Sequence, residues 1–434
     1  MDGGTIGLIG IAVLLFLLLV RVPVAFAMFL IGFLGIWQLN GFDAAKSLLA
    51  SETFTLASSP ELIVVPLFIL MGNVASVTGM SRKLYDAAYA MIGQIRGGLA
   101  SATVLACGGF AALSGSSVAS ALTMGKVSLV QMDRFNYDPR LATGVVAAGG
   151  TLGILIPPST GFVIYAILTE QSIGRLFLAG VLPGFLLLTM FVLTITILCW
   201  LKPEYGPPGP KTTFLEKGRS LIGAMPILIV ILVTIGGIYG GLFSPVEAAG
   251  VGAGLVIVYG ALTRTLSFKD LWFSARDSVV TTATVMLILI GAHMINPFLA
   301  LSHIPDVVGN ALTSLELGVF GTLFVILGIY MVLGCFLEGF AMLVLTLPIF
   351  FPVTQQLGID PIWFGVLVVL TLEMGLISPP VGINVFIVKS VAPNVELGQI
   401  FRGVVPFWLA MLVTLGILIA FPQLSLLLPD TMFN

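Results

Sequence analysis

The chain has 434 residues, of which 58% are hydrophobic and only 9% charged. A soluble domain carries about 25% charged residues, so this composition excludes a water-covered surface of that size and points to the bilayer as solvent. A net charge of −2 without a basic tract gives no nucleic-acid footprint, and the 50 glycines and 24 prolines suit membrane helices, where both are more frequent than in soluble ones.

Residues 5–20 form the first apolar run. Ala25-Phe26-Ala27 resembles a small-residue cleavage site, but Met1-Asp2-Gly3-Gly4 carries no positive charge and a second apolar run follows at once, so the run reads as a membrane span and not as a cleaved signal peptide. A helix needs about 20 apolar residues to cross a bilayer. Spans are expected at 5–20, 22–39, 60–80, 141–169, 175–201, 219–240, 245–263, 279–301, 361–388 and 403–428. Stretches 97–132 and 319–354 are each too long for one helix and are interrupted midway, by Ser114-Gly115-Ser116-Ser117 and by Leu337-Glu338-Gly339. Short arms and polar residues at membrane depth predict two re-entrant hairpins. Cys107, Cys199 and Cys335 lie in apolar stretches with no paired spacing and read as small core residues.

With the N-terminus outside and both stretches re-entrant, the cytoplasmic side collects the basic residues. Of 18, only Lys46 and Arg175 remain outside, and Lys126 lies within the first hairpin. Both termini are then periplasmic. The one linker is Pro/Gly-rich, at 206–218 within a polar stretch from Lys202 to Arg219. It divides the chain into 1–205 and 219–434.

The two parts match at an offset of 222 residues, the step from Asp138 to Asp360. At that offset Pro23-Val24 meets Pro245-Val246, Asp138-Pro139 meets Asp360-Pro361, Gly153 meets Gly375, and Pro157-Pro158 meets Pro379-Pro380. Each part has five spans and one hairpin. Five is odd, so the second part enters the membrane from the opposite face. The fold class is therefore an all-α polytopic membrane protein of two inverted repeats, an architecture in which secondary transporters bind solutes near the midplane at discontinuous helices.

The sharpest local features are the proline pairs. Two consecutive prolines remove two backbone donors and clash with the preceding turn, so the helix unwinds there. Freed carbonyls at membrane depth are tolerated where they line a cavity or meet a partner. Sodium is one such partner, and the half-helix after each break turns a positive dipole end toward an anionic group. The first break offers Gly153, Pro157, Pro158 and Ser159; the second offers Gly375, Ser378, Pro379, Pro380 and Asn384. At the hairpin tips, Ser114, Gly115, Ser116 and Ser117 supply hydroxyls and a tight turn, whereas Glu338 and Gly339 stand at the second tip. Glu338 could bind a cation or proton, or face water. Glu373 could support the second break at one remove. Glu247 suits the first turn of its helix. His293 and Asn296 could relay protons or pack by hydrogen bonds. No nucleotide-binding or zinc-hydrolase motif occurs, and no nucleophile–base pair is evident, so neither ATP hydrolysis nor intramembrane catalysis is expected.

Five segments together resemble the large membrane subunit of the tripartite ATP-independent periplasmic (TRAP) transporters: Leu18 to Ala27, Ser114 to Ala121, Gly153 to Ser159, Gly241 to Ala249 and Ile377 to Asn384. The resemblance covers nearly the whole chain. It implies an elevator-type transporter of the ion transporter superfamily, in the bacterial inner membrane, taking up a small organic acid on a sodium gradient. It further implies two sodium sites, one per half near each tip and break, a periplasmic substrate-binding protein, and a separate small membrane subunit of about four helices. C4-dicarboxylates, sialic acid and other carboxylates are all substrates of such transporters. The alternative is a stand-alone sodium-coupled divalent-anion symporter that needs no binding protein.

Overall fold

The computed structural model describes residues 3–432, which are all-helical with no strand among them. Met1, Asp2, Phe433 and Asn434, on which the expected placement of the termini falls, lie outside the described residues.

Helix α1 (Gly3–Leu19) and α2 (Val24–Asn40) part at Pro23, whose fixed φ suits the entry to a helix. α3 (Phe42–Ser58), α4 (Val64–Val77) and α5 (Met80–Ile92) follow. The first interrupted stretch is a helix pair, α6 (Gly98–Ser114) and α7 (Ser117–Arg134), packed on one another. α8 (Pro139–Leu155) and α9 (Thr160–Thr169) are a helix pair bent by 40° at the break between them, and α10 (Ile173–Leu201) closes this half. The second half runs α11 (Phe214–Tyr239), α12 (Pro245–Leu262), α13 (Phe268–Leu301) and α14 (Ile304–Thr313). Its paired helices are α15 (Gly318–Gly334) and α16 (Gly339–Gln356), its broken pair α17 (Pro361–Gly375) and α18 (Ile383–Val391), and α19 (Leu397–Ala420) and α20 (Gln423–Met432) finish it.

Both interrupted stretches and both broken helices thus form where the small-residue and proline signals placed them. The starts of the two broken helices are chemically alike. Asp138 Oδ1 accepts from the Arg140 N–H at 2.8 Å, and Asp360 Oδ1 accepts from Ile362 and Trp363 N–H at 2.8 and 2.9 Å; a proline occupies the first helical position in each. Glu247 forms a reciprocal capping box with Ser244, the structural role its first-turn position suggests.

Seven helices are long and apolar enough to cross a bilayer, and the bent α8–α9 pair makes eight, against the ten spans expected. The difference has a simple cause. α1 and α2 have 17 residues each and rise about 25 Å, short of the roughly 30 Å hydrocarbon core. α17 and α18 have 15 and 9 residues, divided by the proline break. The expected span at 403–428 is present as α19, shifted to Leu397–Ala420 because Pro422 separates the last residues into α20. Conversely α16, read as a hairpin arm, is long and apolar enough by itself. Helices α5 and α14 escape a hydropathy scan because their charged or polar residues gather on one face, and α3 because polar residues are spread all round it. α13 begins at Phe268 and not at 279, because Ser267 and Asp270 cap a charged first section that hydropathy does not register.

The halves interlock. α2 lies on α13, α4 on α12, α5 on α11 and α8 on α19, so each half is completed by the other. The linker is also tied down. Gly97 N–H donates to Gly206 O at 2.8 Å, Gly209 N–H to Gly93 O at 2.9 Å, and Asp138 N–H to Tyr205 O at 3.1 Å. Its last residues belong to α11, which starts at Phe214 behind a Thr213–Glu216 capping box.

Candidate functional site

The first tip is built by a turn that only a small residue permits. Gly115 ends α6 at φ +58°, and a Cβ there would sit 2.8 Å from Pro158 O. Ser116 then caps α7, its Oγ accepting from the Ala119 N–H at 3.3 Å, and Ser114 Oγ lies 3.0 Å from Ser120 Oγ. The tip is fastened to the break. Thr160 Oγ1 donates to Gly115 O at 2.8 Å, and Ser159 Oγ accepts from the Phe162 N–H at 3.2 Å to start α9. Gly153 lets the tip approach: a Cβ on it would meet Ser116 O at 2.5 Å. Ser114, Gly115, Ser117, Gly153, Pro157, Pro158 and Ser159 are all buried and Ser116 is half-buried. The space beside Pro157 and Pro158 amounts to about 10 Å³, lined by Phe68, Phe177 and Thr234 among others.

The second tip repeats the plan with different chemistry. Glu338 caps α16, its Oε2 accepting from the Ala341 N–H at 3.3 Å. Ser116 and Glu338 therefore do the same backbone task at matched positions, and the Glu338 side chain is solvent-exposed in the isolated chain. The close approach here is Gly334 to Gly375, where a Cβ on Gly375 would lie 2.6 Å from Gly334 Cα; Gly339 packs instead against Leu372. Ser378 Oγ donates to Met374 O at 2.7 Å and accepts from Trp408 Nε1 at 2.9 Å. Pro379 and Pro380 are exposed, and a cavity of about 310 Å³ opens between Cys335, Ser378, Pro379, Phe401 and Trp408. Cys335 is thus a cavity-lining residue at the second tip, not the core residue its sequence context suggests; Cys107 and Cys199 are buried as expected.

The two regions meet. α18 packs on α7 and α8, and α9 packs on α16, so each half-helix beyond a break rests on the hairpin of the other half. Ser117 Oγ donates to Glu373 Oε2 at 2.7 Å, across 256 residues of sequence. Glu373 and Asn384 are fully buried, and Glu373 Oε1, Asn384 Oδ1 and Asn384 Nδ2 have no hydrogen-bond partner. The Asn384 backbone N–H donates to Leu376 O at 3.0 Å. Sequence reasoning placed Glu373 behind the second break and missed its contact with the first tip. The signal that could have found it is the lone carboxylate in an otherwise apolar run, since an intramembrane carboxylate is costly without a partner. Thr160 and Trp408, which hold a tip and a break in place, carried no sequence signal. His293 and Asn296 make other contacts: His293 Nδ1 is 2.9 Å from Glu52 Oε2 of α3, while His293 Nε2 and Asn296 Oδ1 are buried without partners. Among the described residues no cluster of three or more His, Cys, Asp or Glu could hold a metal ion. Hydroxyls, an amide, backbone carbonyls and carboxylates are oxygen donors, a set that suits a hard cation and not a transition metal.

Residues 11–424 match the family model described as the tripartite ATP-independent periplasmic transporter, DctM component. The chain is 38% identical over 393 residues to the C4-dicarboxylate TRAP transporter large permease protein DctM of Pseudomonas aeruginosa, covering 89% of this chain and 90% of that protein. It is 31% identical over 419 residues to the sialic acid TRAP transporter large permease protein SiaM of Vibrio cholerae, covering 95% and 96%. In fold it is similar to the YdaH transporter of Alcanivorax borkumensis, with a TM-score of 0.63 at 14% identity over 90% of this chain and 91% of that one.

Proposed function

This chain belongs to the DctM component family of the tripartite ATP-independent periplasmic transporters, and on that premise we propose that it takes up a small organic acid on a sodium gradient. Membership makes it a multi-span membrane permease of TRAP-type uptake, a transporter and not an enzyme. The finer reading is sodium symport by an elevator mechanism in the bacterial inner membrane, with both termini periplasmic. The partners are a small membrane subunit and a periplasmic binding protein that delivers the substrate. The two relatives above are named for C4-dicarboxylates and for sialic acid, both carboxylates, which supports a carboxylate substrate here.

The observation that carries this reading is the recurrence, at one spacing, of a hairpin tip set against a proline-broken helix. In the inverted-repeat reading, 1–205 and 219–434 each contribute one such unit, and the four pieces form the moving part. Two sodium sites are assigned, one to Ser114, Gly115, Ser116, Ser117, Gly153, Pro157, Pro158 and Ser159, the other to Glu338, Gly339, Gly375, Ser378, Pro379, Pro380 and Asn384. The oxygen-rich tips and the unwound backbone support that assignment.

The test is uptake into proteoliposomes that contain this chain with its small subunit, with and without the binding protein. Uptake is expected only with an inward sodium gradient and only with the binding protein present. Equal uptake without the binding protein sinks the tripartite reading. Ser116→Ala and Asn384→Ala are each expected to raise the sodium concentration for half-maximal uptake; unchanged sodium dependence in both removes them from the ion sites.

A further inference from the structure

The assignment of one ion site to each half separates Ser117 from Asn384. The fold does the opposite. Gly150 of α8 has no side chain, and the position its Cβ would take lies 3.1 Å from Ser117 O and 3.3 Å from Asn384 Nδ2. The carbonyl of Ser117 and the amide of Asn384 therefore sit over the same glycine, one from each half. The hydroxyl of the same Ser117 holds one oxygen of Glu373 at 2.7 Å. Three side-chain atoms of this group, Glu373 Oε1 and both amide atoms of Asn384, are buried with no partner.

A buried carboxylate is costly unless an opposite charge or several donors meet it, and one hydroxyl does not suffice. An amide with neither atom paired, facing the same glycine as Ser117 O, is a second unmet demand beside Ser117. The Asn384 oxygen and nitrogen exchange places by a simple flip, so Oδ1 can take the position beside Ser117 O. Carboxylate, amide and carbonyl oxygens together suit a hard cation, and a single carboxylate gives net neutrality with a single positive charge. No lysine or arginine serves as counter-ion: Lys126 and Arg134 of α7 are exposed, Arg140 of α8 pairs with Asp138, Lys389 of α18 donates to Pro393 O and Val395 O, and α17 carries none.

We propose that Ser117, Glu373 and Asn384 form one sodium position shared between the halves, with Glu373 as its charged ligand. It rests on the sodium-coupled reading above and changes its geometry. An ion there ties the first hairpin to the second broken helix, so binding draws the two halves of the moving part together as one rigid body. Without the ion, the carboxylate is held by Ser117 alone and the contact between halves is weakened.

The experiment is sodium binding by the purified chain with its small subunit in detergent, read by radioactive-sodium scintillation and by sodium-dependent thermal stabilisation. Neither readout needs transport. Glu373→Gln keeps the shape and removes the charge; it is expected to weaken sodium binding at one position by about tenfold or more and to lower the number of ions bound by one. Ser117→Ala, a smaller change, is expected to weaken the same position and carries the test if Glu373→Gln does not purify as a single species. Wild-type affinity and stoichiometry in the purified variant overturn the proposal. So does a Glu373→Gln protein whose sodium binding is intact while the pH dependence of uptake disappears, because Glu373 then carries a proton. Absence of sodium binding in the wild-type complex is a different outcome: it defeats the sodium-coupled reading itself before Glu373 is at issue.

Discussion

The first tip and break are closed and the second are open. Around Pro157 and Pro158 the chain is buried on every side, and Thr160 and Gly153 clamp the tip onto the break. Around Pro379 and Pro380 the chain is exposed, and a cavity of about 310 Å³ opens beside the break, which α19 touches through the Trp408–Ser378 bond. The backbone plan is the same in both, down to an N-capping side chain at matched positions, Ser116 and Glu338. What differs is the residue that follows each break. Ser159 and Thr160 supply a cap and a clamp, whereas Val381 and Gly382 supply neither, and Gly382 takes φ +58° instead. Matching breakers thus give the same order of elements, while the residues after each break decide its local backbone and whether a tip is clamped.

The sharpest way to break this comparison is chemical access. Cys335 lies at the open tip, and Cys107 and Cys199 are buried. A small maleimide is expected to label Cys335 nearly completely and the other two hardly at all, read by mass spectrometry; prior labelling at Cys107 contradicts a closed first half. The next effect is steric. Gly153→Val drives a side chain into Ser116 O and is expected to cost about 1–3 kcal/mol and abolish uptake. At Gly339, whose neighbour is the flexible Leu372 side chain, Ala is expected to cost less. Thermal unfolding of the purified complexes ranks the pair, and an equal cost erases the difference between the tips. A smaller effect follows from the clamp. Thr160→Val removes the hydroxyl bond to Gly115 O, leaving the backbone N–H bond to the same oxygen, and is expected to lower stability by about 1 kcal/mol or less, seen as a lower unfolding midpoint. The smallest concerns the caps. Ser116→Ala and Glu338→Ala each remove a cap at a cost of about 1 kcal/mol or less. Similar stability losses with unequal changes in sodium dependence identify the tip whose cap also binds the ion.

Much of the architecture was legible because it depends on local chemistry. Proline pairs break helices wherever they stand, and Gly115 with its serine neighbours interrupts an apolar run. The Asp-Pro starts of α8 and α17 carry their own caps, so even the helix entries could be read. Polar-faced helices were not legible, because α5 and α14 look like loops to hydropathy and become helices by packing one face on neighbours. The exposed state of Pro379 and the cavity beside it were equally hidden, since they depend on what α19 and the second tip leave uncovered.

Sequence alone determined an all-helical membrane chain with two interrupted apolar stretches and two proline breaks. Short-range rules suffice there, because each feature is set by residues within one turn of it. Only the tertiary structure decided that α18 rests on the first hairpin and α9 on the second, and that Ser117 reaches Glu373 across 256 residues. Such pairings arise from how helices pack in three dimensions, where small residues such as Gly150 permit close approach. No spacing along the chain encodes them directly.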